Sequence, residues 1–183
     1  MTEPLIYIPG FYTPEKTLAL YSACAKLNYP IRYSEPWGKE IRHRTIGWSE
    51  QPSKRLGDIG SEWPLDTMPY EIRLLLDDLS EFSGKDVNYA ASVRYADGSD
   101  YMAWHQHKED RGRDATVWIL STGAERPFGF KELGGKATKT IAQAGSLIIL
   151  SSEANETHLH SVPKCASCDT VRYSVNCKSI PRT

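Results

Sequence analysis

The sequence predicts an α+β chain built around a β jelly-roll or sandwich. Two amphipathic helices lie in the first half, and the chain after Gly84 reads as short strands broken by turn residues. A length of 183 residues suits one domain and leaves little room for two. A chain of that size buries roughly 70% of the surface its unfolded form exposes, so its core needs no staples.

The first helix starts at Thr13, whose side chain can cap, with Pro14 at the first helical position and Glu15 at the positive end of the dipole. Leu20, Cys24 and Leu27 recur at helical spacing and give it a buried stripe. The second helix begins around Asp66 to Pro69 and carries Ile72, Leu75, Leu76, Leu79 and Phe82, with Gly84 as its C-terminal cap. Glu71, Asp77, Asp78 and Glu81 form its solvated face.

Residues 29–64 show no sustained periodicity. A connection this long is usually functional or contains hidden hairpins. From 39 to 55 it has five basic and two acidic residues, a local net of +3. Trp37 and Trp48 are interleaved with Arg42, Arg44, Lys54 and Arg55. Aromatics between cations suit a grip on a base and its phosphates, and equally suit a charged loop with two packed tryptophans.

Strands are predicted at 87–95, 115–121, 127–131, 137–142, 145–151 and 171–178. Turn signals stand at Asp97-Gly98, Gly134-Gly135 and Ala144-Gly145. Lys plus Arg total 22 against 23 Asp plus Glu, which excludes nucleic-acid binding through bulk charge but not through a local patch. The longest apolar run, Ser146 to Leu150, is far shorter than the ~20 residues of a membrane helix. The N-terminus lacks the basic and apolar regions of a signal peptide. A soluble, cytoplasmic or otherwise intracellular monomer is expected, with no membrane partner.

Four cysteines, at 24, 165, 168 and 177, do not form a secreted disulfide framework. Cys165-Ala-Ser-Cys168 is open to three readings: half of a zinc site with His158, His160 or Cys177, a redox pair, or reduced thiols in a loop. Reduced thiols are the expectation. Four of the five histidines form two pairs, His105-Gln-His107 and His158-Leu-His160. Residues i and i+2 of a strand share a face, so either pair can present two imidazoles to one metal. A third ligand from a distant strand would complete a face with open positions. Surface or core histidines are the plain alternative.

The order of the pieces is more telling than any one of them. Arg94-Tyr-Ala-Asp-Gly-Ser-Asp100 runs into Tyr101-Met-Ala-Trp-His105-Gln-His107. Then follow Ala115 to Gly123, Arg126-Pro-Phe-Gly-Phe-Lys131, Gly145 to Leu150, His160-Ser-Val-Pro-Lys164 and Arg172-Tyr-Ser-Val-Asn-Cys-Lys178. This succession, from about residue 85 to 180, resembles the AlkB family of Fe(II)- and 2-oxoglutarate-dependent dioxygenases. The resemblance implies one domain over 1–183. Its double-stranded β-helix (jelly-roll) core would span 85–180, with the N-terminal helices and a nucleotide-recognition lid in 1–84.

It also implies Fe(II) and the cosubstrate 2-oxoglutarate. His105 and His160 match iron ligands, and His107 stands where the family has an aspartate. Tyr95 and Arg172 match the residues that hold the distal carboxylate of 2-oxoglutarate, and Asn176 and Lys178 fall in the same strand of the cosubstrate site. A planar guanidinium and a phenol are chemically suited to that carboxylate. Three departures converge on the other end. His107 removes a negative ligand, Val93 replaces an asparagine, and Lys178 replaces a second arginine and lacks its fork. His158 has no role in the pattern.

The function implied is oxidation of an alkyl group on a base of DNA or RNA, by demethylation or hydroxylation, as in DNA repair. The base would be extruded onto Trp37 and Trp48, with Arg42, Arg44, Lys54 and Arg55 on phosphates. Two other readings stand beside it. One is a nucleic-acid-binding module that kept the fold and lost the reaction. The other is an iron oxygenase acting on a nucleotide or small molecule with altered cosubstrate use.

Overall fold

Alternation of side chains along one strand divides the protein into two cores. In β12 (Arg172–Lys178), Tyr173, Val175 and Cys177 point to one face of a six-stranded sheet. Arg172, Ser174, Asn176 and Lys178 point to the other. The first face is covered by α1 (Pro14–Ala25) and α2 (Tyr70–Ser83), and the second faces a smaller sheet. The computed structural model describes residues 3–30, 32–34, 39–41, 43–49, 65–107 and 116–181.

The large sheet has the order β1-β10-β7-β12-β5-β4, from β1 (Leu5–Ile8), β10 (Leu147–Leu150), β7 (Val117–Gly123), β12, β5 (Tyr89–Tyr95) and β4 (Arg44–Ser49). The smaller sheet runs β6-β11-β8-β9, from β6 (Met102–His105), β11 (His158–Val162), β8 (Arg126–Glu132) and β9 (Thr138–Ala142). A separate antiparallel pair joins β2 (Arg32–Ser34) to β3 (Lys39–Ile41). Every pairing described is antiparallel. Val93, Tyr95, Ile119 and Ile148 of the large sheet meet Phe128, Ala142 and Val162 of the small one in a second apolar cluster. Two facing antiparallel sheets with this order make a jelly-roll, with helices packed on its outer side.

Local chemistry accounts for the helices. Thr13 accepts a hydrogen bond from the Lys16 amide, Pro14 opens α1, and Leu20, Ala23 and Cys24 are buried. Ile72, Leu75, Leu76 and Leu79 are the buried stripe of α2. Gly84 ends that helix at φ 68°, where any other residue would be strained. A third short helix, α3 (Ser152–Thr157), is capped by the Ser151 side chain, which accepts from the Ala154 amide. Among the described residues no helix is long and apolar enough to cross a membrane.

Several expectations change. The stretch 29–64 holds the β2–β3 pair and β4, so the hidden-hairpin reading applies to it. Strands β1 and β4, both from the first 84 residues, complete the large sheet, so the sheet extends beyond the 85–180 core. Trp48 is 0% exposed, sits in the cluster beneath the helices and donates to the Thr67 hydroxyl at 3.3 Å. It is a core residue and is not available to stack a base. Cys165 and Cys168 are joined by a disulfide, not present as reduced thiols. Zinc has no thiolate pair there, and Cys177 is buried on the helix side. The disulfide loop is tied to the β5–β6 loop through Gly98, which accepts from the Cys165 amide at 3.0 Å and donates to the Cys168 carbonyl at 2.6 Å. A Cβ at Gly98 would overlap the Cys165 carbonyl.

Because Trp48 fills the core, Trp48→Ala is expected to lower the unfolding free energy by about 3–5 kcal/mol, measured by chemical denaturation. Unchanged stability would return Trp48 to the surface.

Candidate metal centre

Strand pairing brings distant histidines together. His160 of β11 lies opposite His105 of β6 on one side and Phe130 of β8 on the other. Directly opposed residues share a face, here the one turned toward the large sheet. His107 comes two residues after β6 ends, yet its ring centroid is 5.2 Å from His160 and 5.4 Å from His105. The His105 and His160 rings are 4.1 Å apart. One nitrogen from each of the three lies within 4.8 Å of the others, the one such cluster of potential metal ligands among the described residues. Ligand bonds of about 2.1 Å need nitrogens closer than about 4.2 Å, which small ring rotations supply.

The three imidazoles differ in readiness. His105 Nδ1 lies 2.9 Å from the Ala103 carbonyl. A carbonyl only accepts, so Nδ1 carries the proton and Nε2 keeps the lone pair that a metal needs. His160 is buried and stacked at 5.8 Å on Phe128. Burial first, then the charges of His105, His107 and Lys178, hold its pKa well below the usual imidazole range. It is therefore neutral at pH 7, the form that ligates.

His107 Nδ1 is 3.2 Å from Lys178 Nζ. An ammonium only donates, so Nδ1 accepts and the ring proton stands on Nε2. Ligation through either nitrogen displaces that hydrogen bond, so a metal competes with Lys178 for His107. The His107 backbone is held at both ends by Asn155 of α3: its N–H donates to Oδ1 at 2.8 Å, and Nδ2 donates to its carbonyl at 2.7 Å.

Arg172 lies in the same inter-sheet space. It is 1% exposed, and Nη2 donates to the Ser121 hydroxyl at 2.9 Å. Its Nε and Nη1 have no hydrogen-bond partner among the described residues. Two unmet donors on a buried cation fit a carboxylate, which can take them in bidentate fashion. The Tyr95 ring, also buried, has the Arg172 guanidinium 5.2 Å from its centroid and that of Arg126 at 5.7 Å. Burial raises the Tyr95 pKa against the opposing pull of both arginines, so the phenol stays protonated. Arg126 is in turn fixed by the carbonyls of Asp97, Asp100 and Pro163 at 2.8–2.9 Å. Asn176 is half-buried on the same face of β12, and Val93 lies opposite Ser174.

Other predicted residues lie elsewhere. His158 stacks on Phe130 at 4.6 Å and bonds the Thr157 hydroxyl, outside the triad. Arg44 pairs in register with Arg94 on the helix-side face of the large sheet, with Trp48 and away from the histidines. Trp48 therefore cannot stack a base in the inter-sheet space, and Arg44 is half-buried on the opposite face of the large sheet. Trp37, Arg42, Lys54 and Arg55 lie outside the described residues. Nothing in the sequence points to Asn155, a polar residue in a helix too short to show periodicity. Arg126 is visible in its motif, but nothing there points to three distant carbonyls.

Two outcomes are expected. The unfolded chain protonates His160 below about pH 6.5, while the folded chain does not. Metal-free stability therefore falls as pH drops through that value, by up to about 1.4 kcal/mol per pH unit from this residue. Denaturation midpoints across pH 5–8 check this, and His160→Asn should flatten the slope. Lys178→Met removes a competing donor and a nearby positive charge, so Co(II) should bind about tenfold more tightly, while 2-oxoglutarate binds more weakly. Calorimetric titration of each ligand reads both.

Comparison with known proteins agrees with this arrangement. Residues 4–177 match the model of the 2OG-Fe(II) oxygenase superfamily. No curated protein matches in sequence. Among solved structures the fold is similar to that of OsALKBH1, at 11% identity and a TM-score of 0.73 over 98% of both chains. It is also similar to a prolyl-4-hydroxylase from Pseudomonas putida, at 14% identity and a TM-score of 0.66 over 99% of this chain and 94% of that one. A 2OG-Fe(II) oxygenase family oxidoreductase from Burkholderia pseudomallei shares 12% identity at a TM-score of 0.64, over 96% and 84% of the two chains. Fe(II) and 2-oxoglutarate are the cofactor and cosubstrate of that superfamily, the histidine triad and the unmet guanidinium donors fit them, and the chain belongs to the 2OG-Fe(II) oxygenase superfamily.

Proposed function

We propose that this oxygenase oxidises an alkyl group on a nucleic-acid base, consuming O2 and 2-oxoglutarate. The observation that carries the oxygenase reading is the convergence of His105, His107 and His160 with the buried, half-satisfied guanidinium of Arg172 in one inter-sheet space. Support for a base as substrate comes from the order of motifs along 85–180 and from the likeness of the fold to OsALKBH1. The basic, aromatic stretch still offers Trp37, Arg42, Lys54 and Arg55 for that role.

Bound iron and 2-oxoglutarate would supply the oxidising chemistry, inserting one oxygen of O2 into a C–H bond and releasing succinate and CO2. On an N-methyl group, the hydroxylated carbon leaves as formaldehyde and the nitrogen regains a proton. The protein's own residues bind and orient. Arg172 and Tyr95 take the distal carboxylate, in the geometry a guanidinium fork prefers. Lys178 and Asn176 flank the chelating end, where a single ammonium replaces a fork. Val93, Ile119, Phe128 and Val162 wall the space with apolar surface, which keeps water from the buried charges.

Replacing a carboxylate ligand with a neutral imidazole leaves the centre one charge more positive. Lys178 beside His107 adds to that charge, and an anionic cosubstrate offsets it.

The test is succinate formation by anaerobically iron-loaded protein after air is admitted, with and without methylated oligonucleotides. Succinate that rises several-fold with an oligonucleotide, together with formaldehyde, is expected. Succinate formed at one rate regardless of nucleic acid would discard the base as substrate. No succinate from folded, iron-loaded protein would favour a non-catalytic binding module.

A further inference from the structure

We infer that Asn155 is the positioning residue for the third metal ligand, and that its side-chain amide stands in for the strand ladder His107 lacks. The inference rests on reading the three histidines as a metal centre. His105 and His160 are fixed by strand pairing, since each lies opposite the other in the β6–β11 register. His107 has no such place. Strand β6 ends at His105, and the chain has left the sheet by residue 107.

Asn155 makes up the difference. A primary amide has a carbonyl and an N–H group side by side, as a neighbouring strand does. Here the carbonyl accepts from the His107 amide at 2.8 Å, and the amino group donates to the His107 carbonyl at 2.7 Å. Both bonds are well within good geometry for N–H to O. The preceding residue docks on the same helix, with Gln106 Nε2 donating to the Glu156 carbonyl at 3.1 Å.

Asn155 is itself held firmly. It is 5% exposed, and its own amide donates to the Ser151 carbonyl at 3.2 Å. Five residues further along the same segment is His160. One stretch of chain, 151–160, therefore carries one ligand, pairs with a second through β11 and holds the third through Asn155. An imidazole reaches farther from the backbone than an aspartate carboxylate, so a small backbone shift at residue 107 moves its nitrogens more. A histidine in that position gains most from a backbone clamped at both ends.

Residues that hold ligands in place typically change metal affinity by 10–100-fold when removed. Co(II) affinity and its ligand-field absorption are the readouts, on full-length protein. Asn155→Ala is expected to weaken Co(II) 10–100-fold and to alter the d–d bands. On a His107→Ala background the same substitution should cost nothing further, because its effect runs through His107. Asn155→Asp keeps the acceptor for the His107 N–H and loses the donor to its carbonyl. It should show a smaller loss with the same dependence on His107, and it carries the test if Asn155→Ala does not fold. Leu79→Ala, a core truncation in α2, should lower the melting temperature while leaving affinity within about twofold of the parent.

Parental affinity and spectrum in Asn155→Ala would overturn the inference. So would an equal loss with and without His107, which would make Asn155 a merely structural residue. Parent protein that binds no Co(II) would instead overturn the metal-centre reading, and this inference with it.

Discussion

The arrangement turns on positive charge sealed between two sheets. Arg172 is buried with two nitrogens unmet among the described residues, Arg126 packs on the same Tyr95 ring, and Lys178 reaches the histidine cluster. Buried cations are costly unless paired. Both terminal nitrogens of Arg126 donate to backbone carbonyls and only its Nε is unmet, whereas Arg172 meets Ser121 alone and leaves Nε and Nη1 unmet among the described residues. Among the described residues neither apolar packing nor a carboxylate answers that demand at Arg172. An anion does. A dicarboxylate that also meets a divalent metal resolves the imbalance at both ends of the space, which is why the histidines and the arginine make sense as one site.

Much of the fold was legible because it depends on short-range chemistry. The capping of α1 by Thr13, its opening at Pro14 and the stop of α2 at Gly84 follow from local rules, and the structure shows each. Strands β5, β7, β8, β9, β10 and β12 lie close to their expected positions. Strands β6 and β11 were less visible, since Met-Ala-Trp-His and His-Leu-His-Ser-Val carry no alternation that a solvent-facing sheet would impose. Trp48 and Arg44 show the limit of composition. Aromatics among cations suggested a binding surface, yet the pairing of β4 with β5 turns both toward the helices. Local sequence does not say which face of a sheet a residue occupies; register does.

The candidate site was legible as a list of residue types and not as a mechanism of support. His105, His160, Tyr95 and Arg172 were found by motif order. Their environment was not: Asn155 behind His107, Arg126 behind Tyr95 and Ser121 beside Arg172 are long-range neighbours that no spacing rule connects. In the sequence, His107 and Lys178 are two separate departures from the family pattern. The structure puts them in contact at 3.2 Å, so the two changes bear on one another. A lysine where an arginine is expected can approach an imidazole as a single point donor, whereas a planar fork is shaped for a carboxylate.

The alternation of β12 also constrains error. Its odd-numbered residues are oil beneath α1 and α2, and its even-numbered residues are the polar groups of the inter-sheet space. A slip of one residue against β5 and β7 would drive Arg172 and Lys178 under the helices and bring Tyr173 and Cys177 to the histidines. A form slipped by one residue would therefore lose its core along with its site. The partition between oil and water proofreads the chemistry, and a molecule that completes its core has already aimed its arginine.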